Sequence, residues 1–154
     1  MESKYLVFIK WLKEETGLEV VWEYQNAPRP QSNYISLHVR GREYVGMHHE
    51  TYDSTLGKAG LGYNSVINLQ VRCKNDYSGS IMEKVKLSLR KESVQDLLYG
   101  ESFACSYAGG VLNQPIERNG VWEHQTILEI FFNSTAETLD RTSIIETVEI
   151  EAEV

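Results

Sequence analysis

"VVWEYQNAPRPQSNYISLHVR", Val20 to Arg40, decides how this chain is read. From Glu19 to Tyr24 apolar and polar residues alternate, with Val20, Trp22 and Tyr24 on one side, which is a strand pattern. Tyr34, Ser36, His38 and Arg40 then alternate with Ile35, Leu37 and Val39, a second strand. Between them lies an elbow carrying Pro28, Arg29 and Pro30. Proline has no N–H to give to a ladder, so pairing stops there. Each proline also drives the residue before it into an extended conformation, which holds Ala27 and Arg29 extended and displays the Arg29 side chain outward.

Before the elbow the spacing predicts a helix from Ser3 to Thr16. Tyr5, Phe8, Ile9 and Leu12 form its apolar stripe, and Lys10, Lys13 and Glu14 its wet side. Ser3 is placed to cap the start and Gly17 to end the helix in a left-handed turn. Trp11 falls beside the stripe, so it is expected to meet another surface.

After the elbow, Gly41 to Asn64 is polar and glycine-rich, with no stable period, and reads as a long loop or an extended hairpin. "SVINLQVRCK", Ser65 to Lys74, is a strand with Val66, Asn68, Gln70 and Arg72 on one face and Ile67, Leu69, Val71 and Cys73 on the other. A second helix follows, with Ser80 and Glu83 as a capping box and Ile81, Met82, Val85 and Leu89 as its stripe, running to about Lys91. A short turn from Ser93 to Leu98 extends it as far as Gly100. Strands are expected at Phe103–Tyr107, at Val111–Arg118 with an interruption at Pro115, and, past the tight-turn pair Asn119-Gly120, at Trp122–Asn133. A last run, Ser143 to Ile150, leads into an acidic end. Helices set among strands without regular alternation imply an α+β fold, a curved and mostly antiparallel sheet covered by two helices. The chain, residues 1–154, is read as a single domain with 41–64 as its loop or hairpin insertion.

Composition narrows the function. A formal charge of −7 opposes gripping nucleic acid, which requires a basic surface to displace counterions from phosphates. An acidic bore around a duplex is compatible with that charge, because it repels the backbone and lets the duplex slide. No run approaches the roughly 18 apolar residues of a membrane span, and the amino end lacks a signal peptide's pattern. Cys73 and Cys105 each sit in an apolar run and are read as buried free thiols.

The candidate chemical motifs are weak. His48, His49, Glu50 and Asp53 resemble a ligand cluster, but adjacent histidines on a strand point to opposite faces and the HExxH spacing is absent. "GKAGLG", Gly57 to Gly62, lacks the spacing of a phosphate loop. Ser106 has no nucleophile elbow around it. No acid, base and nucleophile come together, so no catalytic residue, cofactor or metal is assigned.

The succession of Asn26-Ala27-Pro28-Arg29-Pro30 after the first strand, Tyr34 opening the second, a helix after the central strand and a closing "IIETVEI" resembles the neck or tail terminator proteins of tailed bacteriophages, over nearly the whole chain. That resemblance implies a non-enzymatic virion protein, assembled in the bacterial host cytoplasm. It implies a homo-oligomeric ring, usually of six copies, that caps the tail tube. Its partners would be the head connector or head-completion protein and the tail tube protein, with DNA passing through the lumen without specific binding. Trp11, Arg29, Tyr44, His48, His49, Tyr52 and Tyr63 are the expected subunit and partner contacts. The long segment 41–64 has the length to reach a neighbour, and Arg29 has the planar fork that suits a carboxylate on one. Two other readings stay open. One is a small binding module that stacks ligands on Tyr34, Tyr44, Tyr52 and Tyr63. The other is a metal-dependent enzyme centred on His48, His49 and Asp53.

Overall fold

A computed structural model describes residues 3–26, 28–30, 33–46, 49–53 and 58–141, with the backbone alone at 49–53, 58–61, 63 and 136–141. The chain opens with a 3-10 turn, Ser3–Tyr5, that runs into helix α1, Leu6–Thr16. Tyr5, and not Ser3, stands at the start of the α-helix, without a side-chain cap. Gly17 closes it at φ 70° and gives its N–H to the Lys13 carbonyl at 2.9 Å. That left-handed conformation is the reason for a glycine here.

Strands β1 (Glu19–Trp22) and β2 (Tyr34–Tyr44) pair in parallel, Glu19 beside Tyr34 and Trp22 beside Leu37. This explains the elbow. Parallel neighbours need a crossover, because the chain must return along the full length of the first strand before starting the second. Here that return is about 13 Å at about 3.3 Å per residue, and the described residues between β1 and β2 contain no helix. Stiff, extended proline segments suit such a span. The elbow starts at Tyr24 (φ 59°) and ends at Asn33 (φ 52°). The Glu23 N–H, bonded to the Leu37 carbonyl at 2.8 Å, is the last rung before the chain leaves the sheet.

The rest of the chain supplies β3 (His49–Asp53), β4 (Lys58–Lys74), helices α2 (Ser78–Ser88) and α3 (Glu92–Tyr99), β5 (Phe103–Ala108), β6 (Leu112–Asn113), β7 (Ile116–Arg118), β8 (Val121–Glu123) and β9 (Gln125–Arg141). Among the described residues the main sheet runs β1-β2-β4-β9-β5, with β3 also on β4 and β6 also on β9, while β7 and β8 make a separate two-stranded ribbon. Apart from β1 with β2, its ladders are antiparallel. The α+β class holds. Three α-helices are described where two were expected: α2 ends at Ser88, and Glu92–Tyr99 is a helix in its own right, not a continuing turn. The Ser80–Glu83 capping box does not form, since α2 starts earlier, at Ser78, just after an Asn75 Oδ1 that accepts from the Tyr77 N–H at 2.8 Å.

The helices cover one face of the sheet. Ile35, Leu37, Ile67, Leu69, Val71 and Cys73 meet them there, all fully buried, and Leu128, Ile130 and Phe132 continue the layer on β9. Aromatic rings hold α1 down: Phe8 lies 5.0 Å from Phe132 and 4.7 Å from Phe103 between centroids. Offset and tilted pairs of this kind add roughly 0.5–1.5 kcal/mol each beyond the area they bury. The other face carries Val66, Asn68, Gln70 and Arg72, half-buried, as the alternation predicts.

Only half of the two long strands belongs to this core. Ser65 to Lys74 of β4 pairs with β2, and Gln125 to Ser134 of β9 runs beside it. Beyond Asn64 the edge of β4 is taken by β3, and Lys58–Asn64 runs between β3 and Thr135–Arg141 as a three-stranded ribbon. Of segment 41–64, residues 41–44 finish β2, 45–46 leave the ladder, and 49–53 pair with 58–62 as antiparallel strands.

Candidate assembly surfaces

The elbow is fixed at its root. The Glu23 carboxylate accepts from Ser36 Oγ at 2.8 Å and faces the Arg72 guanidinium at 3.6 Å. Tyr24 places its ring edge-on to His38, centroids 5.0 Å apart. Arg40 and Glu129 pair at 2.6 Å further along the same face. These contacts satisfy charge across the open side of the sheet and leave Pro28 and Arg29 standing outside it, both exposed. A groove of about 410 Å³ separates the elbow from the β7–β8 ribbon, with Pro30 and Tyr34 on one wall and Trp122 and His124 on the other. Lys74 Nζ lies at its floor, 3.0 Å from the Tyr34 hydroxyl.

Both edges of the main sheet are open among the described residues: β1 bonds to β2 alone and β5 to β9 alone. The two edges differ in kind. β1 runs straight into the proline elbow, which prevents pairing from spreading. β5, "FACSYA", carries neither charge nor proline. Along β5 a groove of about 600 Å³ opens towards α2 and α3. Leu87, Tyr99 and Tyr107 line it and are more than half exposed, at 61, 73 and 63 %.

The residues expected to make contacts are scattered over this frame. Trp11 is 1 % exposed and gives its indole N–H to Ser88 Oγ, so the second surface it was expected to meet is α2 of the same chain. Arg29 and Tyr44 are exposed, at the elbow and at the end of β2. His49 and Tyr52 fall on β3 and Tyr63 on β4, all in the ribbon; His48 lies outside the described residues. The cluster of His48, His49 and Asp53 is thus not described at side-chain level. Among the described residues no group of three or more His, Cys, Asp or Glu side chains converges on a metal position.

Cys73 and Cys105 are both free thiols, but only Cys73 is buried. Burial pushes its pKa up to about 12. Cys105 is exposed on β5, a correction to the buried reading: its run is apolar, yet the strand is an edge. Sequence reading also missed Leu87, Tyr99, Tyr107 and Trp122 as surface features. Trp122 could have been found, because a residue two places after the Asn119-Gly120 turn sits at the tip of a short ribbon, where little can cover it.

What this geometry defines is a protein whose distinctive parts are surfaces: a displayed elbow, a ribbon that leaves the core, and two unlike open edges. The chain belongs to the phage neck terminator protein family, whose model matches residues 5–154. It is therefore a structural component of the phage neck. No curated protein matches the chain significantly. Among the described residues no helix is long and apolar enough to cross a membrane.

Proposed function

We propose that this neck terminator closes into a ring, of six copies, that caps the tail tube, docks to the head connector and leaves a bore through which DNA passes. The observation that carries the ring is the pair of unlike open edges on one sheet, β1 and β5. A contact that joins the β5 side of one copy to the β1 side of the next is heterologous, and such contacts make a ring when the rotation between copies closes, here at six. The ribbon of β3 with the outer halves of β4 and β9 supports the same reading. A small glycine-containing ribbon is marginal alone and gains stability by packing on something else. In the ring it reaches a neighbouring copy or the tube, with Tyr44, His48, His49, Tyr52 and Tyr63 at its contacts and Arg29 at a carboxylate of the adjacent copy. Trp11 acts indirectly, by holding the α1 flank in place. The net charge of −7 per copy favours passage of a duplex over binding it. Assembly takes place in the host cytoplasm, with no cofactor and no reaction.

Light scattering over a range of concentrations, with electron micrographs of the same sample, tests this. Rings with a central hole, alone or on addition of the tail tube protein, are expected. A particle that stays a monomer under every one of these conditions would overturn the ring.

A further inference from the structure

We propose that residues 142–154 of one copy add as an extra strand to the open edge of β5 in the next copy, seating their apolar side chains in the groove below α2 and α3. The inference rests on the ring reading and names the segment that closes it.

The edge itself calls for a cover. Exposed strands are normally protected by lysine, proline or inward charge, because their free N–H and C=O groups recruit other chains. β5 has none of these, and its outer side is unpaired among the described residues. A register shift between Cys105 and Tyr107 is its one irregularity, and it lies past the Phe103–Cys105 stretch. The groove alongside is apolar in Leu87, Leu98, Tyr99 and Phe103, and its rim carries Lys86 and Arg90 against the single acid Glu83.

The segment after Arg141, "TSIIETVEIEAEV", matches this surface. On a strand, alternate side chains share a face. Ile144, Val148, Ile150, Ala152 and Val154 then share one face, with Glu146 the only charge among them, while Ile145, Thr147, Glu149, Glu151 and Glu153 share the other. The first set suits an apolar groove with a basic rim. The second is acidic and suits water. The segment has four glutamates and no basic residue, opposite in sign to the rim it would meet. Strand addition to an edge, with side chains read by pockets beside it, is a common form of peptide recognition.

Chain length selects the neighbouring copy. Arg141 stands opposite Lys58 at the far end of the ribbon, whereas β5 joins β9 only as far as Ser134. The way back is about 24 Å at about 3.4 Å per residue, with two strand spacings of about 4.8 Å sideways. The whole segment spans about 44 Å when fully extended. Returning to its own β5 would use up Thr142 to about Glu149 as connector, the part that holds the best apolar residues. A tail that seats on another copy need not make that return along its own ribbon.

Cys105 lines the groove and provides the test in the full-length protein, since Cys73 is fully buried. Single cysteines are placed in the tail, at Ile144, Glu146, Val148 or Ile150 in one set and at Ile145, Thr147 or Glu149 in the other, followed by oxidation and a non-reducing gel. A strand beside β5 brings opposed Cα atoms to about 4.5–5.5 Å, within disulfide range. The expected result is a ladder of cross-linked copies from the first set only, abolished by Cys105→Ser. Cross-links within one chain, equal cross-linking from both sets, or none at all would overturn the proposal. Light scattering on the same samples separates it from the ring reading. Ring-sized particles without cross-links sink the tail contact and leave the ring. Pairwise cross-links in particles that never reach ring size sink the ring and leave the contact.

Discussion

The indole N–H of Trp11 donates to Ser88 Oγ at 2.9 Å, and the Ser88 hydroxyl in turn donates to the Val85 carbonyl, so a buried two-bond chain ties α1 to the last turn of α2. Both residues are buried, at 1 and 0 % exposure. Replacing the serine leaves the indole donor in an apolar setting with no acceptor, and the cost is that of an orphaned polar group, not of one average hydrogen bond. Ser88→Ala is expected to lower the unfolding free energy by about 1–3 kcal/mol, read from urea denaturation. A change within about 0.3 kcal/mol would mean that this contact is not formed in solution.

The aromatic layer below that link sets a larger effect. Phe132 is fully buried, between Phe8 at 5.0 Å and Phe103 at 6.1 Å. Phe132→Ala removes a ring that three elements share, and a loss of about 3–5 kcal/mol is expected. Phe132→Leu keeps most of the volume and should lose clearly less. Equal losses for the two variants would show that cavity formation is not the cause.

Cys73 makes stability depend on alkaline pH. Its thiol titrates near 9.0 when solvated and is held up to about 12 by burial in the fold. Below about 9 it is protonated in both states and contributes its full stability. Above that, the unfolded chain releases a proton that the folded one keeps, so stability falls by up to about 1.4 kcal/mol per pH unit until the folded thiol titrates as well. Comparison of the native chain with Cys73→Ala by chemical denaturation at pH 8 and pH 10.5 checks this. The native chain should lose more over that interval, and a parallel decline would refute it.

Gly17 offers a backbone test. It sits at φ 70° with nothing within 4 Å of where a Cβ would stand, so alanine there meets strain but no clash. Gly17→Ala should cost about 1–2 kcal/mol and Gly17→Asn less, since asparagine tolerates the left-handed region. Thermal melts of the two variants would show the order, and the reverse order would contradict it.

Arg29 is exposed, on an elbow anchored by Glu23. Arg29→Glu should therefore leave the melting temperature within error while weakening assembly, measured as the concentration at which rings appear. Unchanged assembly would remove Arg29 from the interface.

Much of this was legible in the residues. Alternation on β4 placed Ile67, Leu69, Val71 and Cys73 inward because strand side chains alternate whatever the partner. Gly17 announced its own turn, since few other residues adopt that conformation cheaply. The succession from the elbow to the closing "IIETVEI" was enough to point to the family that the match over residues 5–154 establishes. Other features were not legible, and the reasons are physical. Pattern marks a strand but not its partner, so nothing in Val20 to Arg40 said that β1 and β2 run parallel. An apolar run reads alike at the centre and at the edge of a sheet, which is why Cys105 was placed inside. Trp11 lay off the stripe because α1 is covered on two sides, by the sheet and by α2, and a single helix cannot report how many neighbours it has. Local periodicity and backbone preference are properties of a few consecutive residues, and those the sequence determined. Which strand meets which, which edge stays open and which side chain is enclosed depend on contacts between residues far apart in the chain, and these are fixed by the folded arrangement alone.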